Sequence, residues 1–310
     1  MTGATKAGAG PGRPSSVCPG RLLLVFAHPD DEAFFTAGTV ARHVREGSEA
    51  ALVCATPGDR GSQPDPPVCL PAELGRVRTA ELRRACRTMG AGQLTLLGYG
   101  DGRLAEADPE EAAGRIARVM ARYRPSAVVT FGPEGIYRHP DHMAIHRFTL
   151  EAFRQAAPEG ARLWYVALAS AFWRHDARDP VGGAPESSAS LGGQGTPAEA
   201  VIDIATTLET KLETLLCHRS QRHNVERAFG ALYDFDRGII AGPEARAFLE
   251  REYFTASPTA NSGRGCGAAR PPGRAGTGPG PLSGRAARPT PAVSAPRSRR
   301  PSPGPTGGAV

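Results

Sequence analysis

The 310-residue chain has no apolar run approaching the ~20 residues that a membrane helix needs. Its early run Leu22 to Ala27 is too short and too far from the start to act as a signal-peptide core. Its six cysteines, Cys18, Cys54, Cys69, Cys86, Cys217 and Cys266, form no Cys-x-x-Cys pair, which argues against a disulfide framework and against a cysteine zinc cluster. Reduced thiols in a cytoplasm are expected, with Cys54 and Cys86 serving packing. No Gly-x-Gly-x-x-Gly follows the first predicted strand, so a dinucleotide role loses its main support.

Carboxylates are missing altogether after Glu252. From Ser257 onward the chain is nearly all Gly, Pro, Ala, Ser, Thr and Arg, a composition that cannot bury enough apolar surface to offset the entropy of ordering. Residues 257–310 are therefore expected to be disordered, as is the Gly/Pro/Ser-rich stretch 1–20, which leaves 21–256 as one folded domain. The tail carries eight arginines against a whole-chain charge of +6, so the rest of the protein has a net charge of −2. The pI near 9.2 thus belongs to the tail. No DNA-binding motif and no aromatic interleaving accompany it, and neither a specific nucleic-acid partner nor a membrane is expected.

Within 21–256, strand and helix patterns alternate. Strands are predicted at Arg21 to Ala27, Ala50 to Ala55, Leu94 to Leu97, Ala127 to Phe131 and Leu163 to Leu168. Helices are predicted at Ala33 to Glu46, Pro71 to Met89, Glu110 to Tyr123, His142 to Ala156 and Thr206 to Gln221. Short connections between such elements imply an α/β fold, a mostly parallel Rossmann-like sheet with helices on both faces. The Gly/Pro/Ser-rich stretch 178–199 exceeds ordinary loop length and reads as a lid or a surface insertion.

Two polar segments follow predicted strands: Ala27-His28-Pro29-Asp30-Asp31-Glu32 at the end of the first, and Tyr137-Arg138-His139-Pro140-Asp141-His142, reached from Phe131 through Gly132-Pro133-Glu134-Gly135. Ligands in open α/β sheets bind beyond the carboxyl ends of the strands. Catalytic zinc takes three protein ligands, commonly imidazoles with a carboxylate, and leaves a position for water; His28, Asp31 and His142 can supply that set. His146 follows His142 by one helical turn, but Met143 stands where a metalloprotease has its glutamate base.

These segments resemble the signatures Ala-His-Pro-Asp-Asp-Glu and Gly-His-Pro-Asp-His of the PIG-L/LmbE-like family of N-acetylglucosaminyl deacetylases. Weaker matches are Ala55-Thr56-Pro57-Gly58, Arg78 with Glu81, Asp101-Gly102, and His218-Arg219-Ser220-Gln221, so the resemblance spans about 21–221. It implies an LmbE-like fold, a divalent metal (usually Zn2+, with Fe2+ or another divalent ion as alternatives) and hydrolysis of an acetamide on a small-molecule amino sugar or its conjugate. By matching position it implies His28, Asp31 and His142 as metal ligands and Asp30 as general base for the attacking water. Tyr137 or His139 would stabilise the oxyanion, and Asp141 would orient the imidazole of His139 and favour its charged form. Arg78 and Asp101 would contact substrate, although a solvated arginine and a turn-shaping Asp-Gly are the plainer readings of those two. Glu32 caps a helix or supports the ligands, and His43, His175, His218 and His223 read as structural or surface groups. One departure is Arg138, which replaces the glycine of the second signature at a position where glycine's conformational freedom matters.

Other functions remain to be weighed. A thiol-conjugate amidase shares the family's site. A non-haem iron oxygenase uses a similar two-histidine, one-carboxylate triad, but it has no need of a base such as Asp30. A non-catalytic sugar-binding protein would have lost a ligand or Asp30, and neither is lost.

Overall fold

The computed structural model describes residues 20–167 and 198–261. A seven-stranded sheet runs β3-β2-β1-β4-β5-β9-β6. It contains β1 (Arg21–Phe26), β2 (Glu49–Cys54), β3 (Gln93–Leu96), β4 (Ala127–Thr130), β5 (Arg162–Ala167), β6 (Ala200–Asp203) and β9 (Arg251–Ala256). The first five strands pair in parallel, and β9 joins β5 and β6 antiparallel. Leu22 through Phe26 are all buried, the continuous apolar run of a parallel strand covered on both faces.

The helices α1 (Asp31–Phe35), α2 (Ala37–Arg45), α3 (Leu74–Met89), α4 (Pro109–Tyr123), a single kinked turn α5 (Gly135–Arg138), α6 (Pro140–Ala156) and α7 (Leu208–Cys217) cover the sheet. In two groups, α4 packs with α6, and α2 and α3 pack with α7. Sequence signals set their ends. The Asp108 carboxylate accepts the backbone N–H groups of Glu110 and Glu111, Pro109 opens α4, and Gly90 at φ 86° closes α3.

Several expectations need correction. The helix predicted across Ala33 to Glu46 is two helices broken at Thr36, whose hydroxyl donates to the Glu32 carbonyl. The cause lies far along the chain: the buried carboxylate of Glu252 on β9 accepts the N–H groups of Gly38 and Thr39 and so caps α2 from outside. The helix expected at Thr206 to Gln221 ends at Cys217 and continues as a separate tight turn, Arg219–Gln221. The antiparallel strands β6 and β9 were not foreseen. Neither was the small unit of α8 (Arg222–Phe229), the hairpin β7–β8 (Tyr233–Asp234 and Ile239–Ile240) and α9 (Pro243–Leu249), whose Val225, Phe229 and Leu249 join a second apolar cluster with Ala33 and α7.

Ordered contacts continue past residue 256, the expected domain end. The Ser257 N–H donates to Leu163, its hydroxyl lies 2.7 Å from the Tyr165 hydroxyl, and α10 (Pro258–Asn261) follows. The segment 1–19, nearly all of the 178–199 stretch and the tail beyond 261 lie outside the described residues. The four described cysteines are free thiols, with Cys54 and Cys86 buried as expected. No helix among the described residues is long and apolar enough to cross a membrane.

Glu252 also holds Lys211 of α7, with Nζ at 2.6 Å and both side chains almost fully buried. Lys211→Met strands a buried carboxylate, with an expected loss of about 3–5 kcal/mol. Urea unfolding measures it; a loss under about 1 kcal/mol, the worth of an exposed pair, would show that the capping N–H groups suffice.

Candidate metal centre

The order of the strands reverses between β1 and β4: β2 lies on one side of β1 and β4 on the other. A crevice opens at such a switch point beyond the carboxyl ends of the strands. Both polar segments stand there, one after each strand, while the loop after β3 brings Asp101 and α3 brings Arg78.

Local geometry explains both segments. In the second, the Nδ1 of His139 accepts the Asp141 N–H at 3.2 Å, Pro140 opens α6, and Asp141 occupies the first turn near the positive end of the helix dipole. His142 then faces inward. In the first, α1 begins at Asp31, and Asp30 before it has φ 108° and ψ −30°, a backbone state costing a side-chain-bearing residue about 1–3 kcal/mol. That turn separates the neighbouring carboxylates. Asp31 turns toward His28 and His142, and Asp30 turns toward Arg78, 3.3 Å away.

Two imidazole nitrogens and the two oxygens of one carboxylate converge. His28 Nδ1 and His142 Nε2 lie 3.3 Å apart, and the Asp31 carboxylate oxygens lie 3.4 Å from His142 Nε2 and 3.7 Å from His28 Nδ1. Tetrahedral zinc with bonds of about 2.0–2.1 Å sets its ligands about 3.3 Å apart. The outward nitrogens are engaged elsewhere: His28 Nε2 lies 3.1 Å from Asp141 and 3.2 Å from Asp101, and His142 Nδ1 lies 3.2 Å from the Gly135 carbonyl. Each imidazole therefore donates outward, which leaves its inward nitrogen a lone pair for a cation. Asp30, Asp31, Glu32, Asp101 and Asp141 share the crevice with one buried guanidinium, Arg78, so the donor set suits a divalent cation in charge as well as in spacing.

Among the described residues, two tighter groupings of single ligand atoms compete with it, His28 with His139 and His142, and His28 with Asp101 and Asp141. The first would need His139, whose Nδ1 holds the Asp141 N–H. In the second, Asp141 already accepts the N–H groups of Gly102 and Leu104. In the grouping with Asp31 the inward imidazole nitrogens hold no backbone N–H, and although Asp31 Oδ2 accepts the His28 N–H at 2.8 Å, its Oδ1 faces His142 Nε2.

Titration behaviour differs sharply between the neighbours. Burial raises Asp30 to about 6, with Arg78 opposing and Asp31 reinforcing the shift. For Asp31, burial is outweighed by His142 and His28, which hold it down at about 2. Burial lowers His28, but Asp101, Asp141 and Asp31 more than reverse that and bring it to about 10, so the same acids that hold its ring favour a positive charge there, and a divalent cation would take the place of the Nδ1 proton.

His139 corrects an expectation. The Asp141 carboxylate does not orient its ring; it bonds His28 and two backbone N–H groups. Burial and the neighbouring His142 and His28 instead lower His139 to about 4. With Nδ1 accepting, the neutral ring carries its proton on Nε2.

Tyr137 is 59% exposed and its ring stands 5.9 Å from that of His139 and 5.4 Å from that of His142. Arg138 takes φ 63° and Ile136 φ 65° with ψ −73°. The left-handed conformation that favours glycine is thus kept, and Arg138 bears it with an exposed side chain. Arg78 is buried rather than solvated; it donates to the Gly58 and Pro29 carbonyls besides its contact with Asp30. Asp101 is more than a turn former, since it accepts the Arg60 N–H and meets His28.

His218, expected to be a structural or surface group, is structural and reaches the site. It is fully buried, with Nε2 2.6 Å from Glu32 Oε1, and Glu32 Oε2 accepts the Asp30 N–H at 3.0 Å. Its only signal was the match at His218-Arg219-Ser220-Gln221. His43 and His146 bond the Gly20 and Phe131 carbonyls and are structural.

Residues 23–153 match the PIG-L family, described as GlcNAc-PI de-N-acetylase. A 1D-myo-inositol 2-acetamido-2-deoxy-alpha-D-glucopyranoside deacetylase of Thermobifida fusca is 33% identical, with 76% of this chain and 92% of the relative covered. The chain belongs to the PIG-L family. Among solved structures, an N,N'-diacetylchitobiose deacetylase from Pyrococcus horikoshii has a TM-score of 0.54 at 19% identity over 77% of this chain and 84% of its own. The 4-carboxy-2-hydroxymuconate hydratase of Pseudomonas putida KT2440 scores 0.56 at 17% identity over 76% and 95%. These two likenesses show a shared fold, one that carries two different reactions.

Metal analysis of purified variants tests the grouping. His142→Ala should lose bound divalent metal, whereas His139→Ala should keep it near one equivalent per chain. Loss in the His139 variant with retention in the His142 variant would move the site to another grouping.

Proposed function

We propose that this chain is a zinc-dependent N-deacetylase that removes the acetyl group from an N-acetylglucosaminyl conjugate, with an inositol glycoside as the first substrate to test. Membership of the PIG-L family and the named activity of the Thermobifida fusca relative support the reaction class. The observation that carries the mechanism is the convergence of His28 Nδ1, His142 Nε2 and Asp31 beside a separately held Asp30. Two imidazoles and a carboxylate form a donor set suited to catalytic zinc, and Fe2+ accepts the same set. The free thiols of Cys54, Cys69, Cys86 and Cys217 favour a reducing, cytoplasmic setting.

A divalent cation held there would bring the pKa of water toward about 7 and polarise the acetyl carbonyl. The residues divide the remaining work. Asp30 takes a proton from water as its oxygen attacks the acetyl carbon, and its raised pKa makes it an effective base near neutral pH. Neutral His139 offers its Nε2–H to the oxyanion, and Tyr137, whose ring stands 5.9 Å from that of His139, supplies its hydroxyl as a second donor. The proton on Asp30 then passes to the departing nitrogen as the C–N bond breaks, giving acetate and the free amino sugar. Arg78 and Asp101 act in this scheme by holding Asp30 and His28, not by contacting sugar.

Acetate release from N-acetylglucosaminyl-inositol by the metal-loaded protein is the direct assay. Asp30→Asn should retain metal and lose about 10²–10⁴-fold in turnover, because an amide cannot accept the proton. Parental turnover would remove Asp30 as the base.

The Arg78 guanidinium favours the ionised form of Asp30. Arg78→Met should therefore raise the Asp30 pKa, and since the base works only when ionised, the acid limb of the kcat profile should move to higher pH. An acid limb that stays in place or moves to lower pH would contradict that link.

A further inference from the structure

We propose that His218, acting through Glu32, is a positioning residue that fixes the backbone of Asp30 and so aims its carboxylate. The inference rests on the reading of Asp30 as the general base.

Both Glu32 and His218 are withdrawn from solvent, yet neither is spent on the fold alone. Glu32 divides its carboxylate: Oε1 meets His218 Nε2 at 2.6 Å, and Oε2 accepts the N–H of Asp30 at 3.0 Å. That N–H belongs to the residue held at φ 108°, a conformation that an aspartate does not keep unless its surroundings impose it. Glu32 could rotate about its own side-chain bonds. Its hydrogen bond to His218 removes that freedom, so the oxygen facing Asp30 stays in place.

His218 is fixed in turn. The turn that follows it is clamped by Glu81 of α3, which accepts the Ser220 N–H at 2.9 Å and the Ser220 hydroxyl at 2.6 Å. One helical turn earlier, Arg78 of α3 lies beside the Asp30 carboxylate and donates to the Pro29 carbonyl. A single face of α3 therefore holds Asp30 twice, from the side chain through Arg78 and from the backbone through Glu81, Ser220, His218 and Glu32. The ligands approach from other directions: Asp31 turns to His28 and His142, neither of which touches Glu32. Loss of the His218 contact should let the Asp30 carboxylate wander while the metal donors stay put.

The test compares His218→Leu, which fills the space without a donor, with His218→Gln, whose amide N–H can reach Glu32 as Nε2 does. Acetate release from N-acetylglucosaminyl-inositol and metal content are measured on each, in the parent and in Asp30→Asn. The expected result is a kcat about ten- to a hundredfold lower for His218→Leu, the scale of a misplaced catalytic group, with KM and metal content unchanged. His218→Gln should restore most of the loss. In the Asp30→Asn background, His218→Leu should change kcat less than about twofold, because it acts through a base already removed. If the leucine variant does not fold, His218→Asn, too short to reach Glu32, replaces it. Parental kcat in the variant lacking the donor, or equal losses for the leucine (or asparagine) and glutamine variants, would overturn the proposal. Parental kcat in Asp30→Asn would instead overturn the reading of Asp30 beneath it.

Discussion

Two imidazole lone pairs and a carboxylate face one another across 3.3 to 3.7 Å, and much of the crevice is arranged to hold them that way. Such an arrangement repels itself unless a cation lies among the donors. The protein holds it through outward hydrogen bonds: Asp101 and Asp141 on His28, and the Gly135 carbonyl on His142. Those partners are fixed in turn, Asp141 by the N–H groups of Gly102 and Leu104, and Asp101 by that of Arg60. The reversal of strand order between β1 and β4 brings the two histidines, 114 residues apart, to one place.

The second constraint is that adjacent aspartates have opposite tasks. Asp31 sits among imidazoles and is held ionised far into acid, while Asp30 is pushed up to about 6 by burial and by Asp31 itself. The backbone at Asp30 makes this possible, because φ 108° turns the second carboxylate away from the first. A base and a ligand can then share a dipeptide without competing for the same cation. Strain recurs on the other side of the crevice, at Ile136 and Arg138, where the chain must turn sharply between β4 and α6. Strained backbone on both walls fits a site whose side chains are held in place by the surrounding hydrogen bonds.

Much of this was legible in the sequence because it is local. A buried parallel strand is an uninterrupted apolar run, and helix ends carry their own signals, so β1 to β5 and the helices among them could be read, with both polar segments at strand ends. What could not be read depends on contacts between distant residues. Thr36 breaks a helix because Glu252, more than 200 residues later, caps the second half. Glu252 also helped to hide β9, since a buried acid interrupts an apolar strand pattern. The role of His218 could not be read beyond a structural or surface histidine, because its partner lies 186 residues away. Asp141 was assigned to the imidazole two residues before it, whereas the fold offers His28, 113 residues away. Arg78 was expected to contact substrate, with a solvated cation as the plainer reading, because the Gly58 and Pro29 carbonyls that bury it come from the loops after β2 and β1.

The most direct test is to locate the metal by anomalous diffraction from crystals of the zinc-loaded protein. The account predicts one ion bonded to His28 Nδ1, His142 Nε2 and the Asp31 carboxylate at about 2.0–2.2 Å, with Asp30 outside bonding distance. An ion bonded to His28 Nε2 between Asp101 and Asp141, or one that takes His139 or Asp30 in place of Asp31, would contradict it.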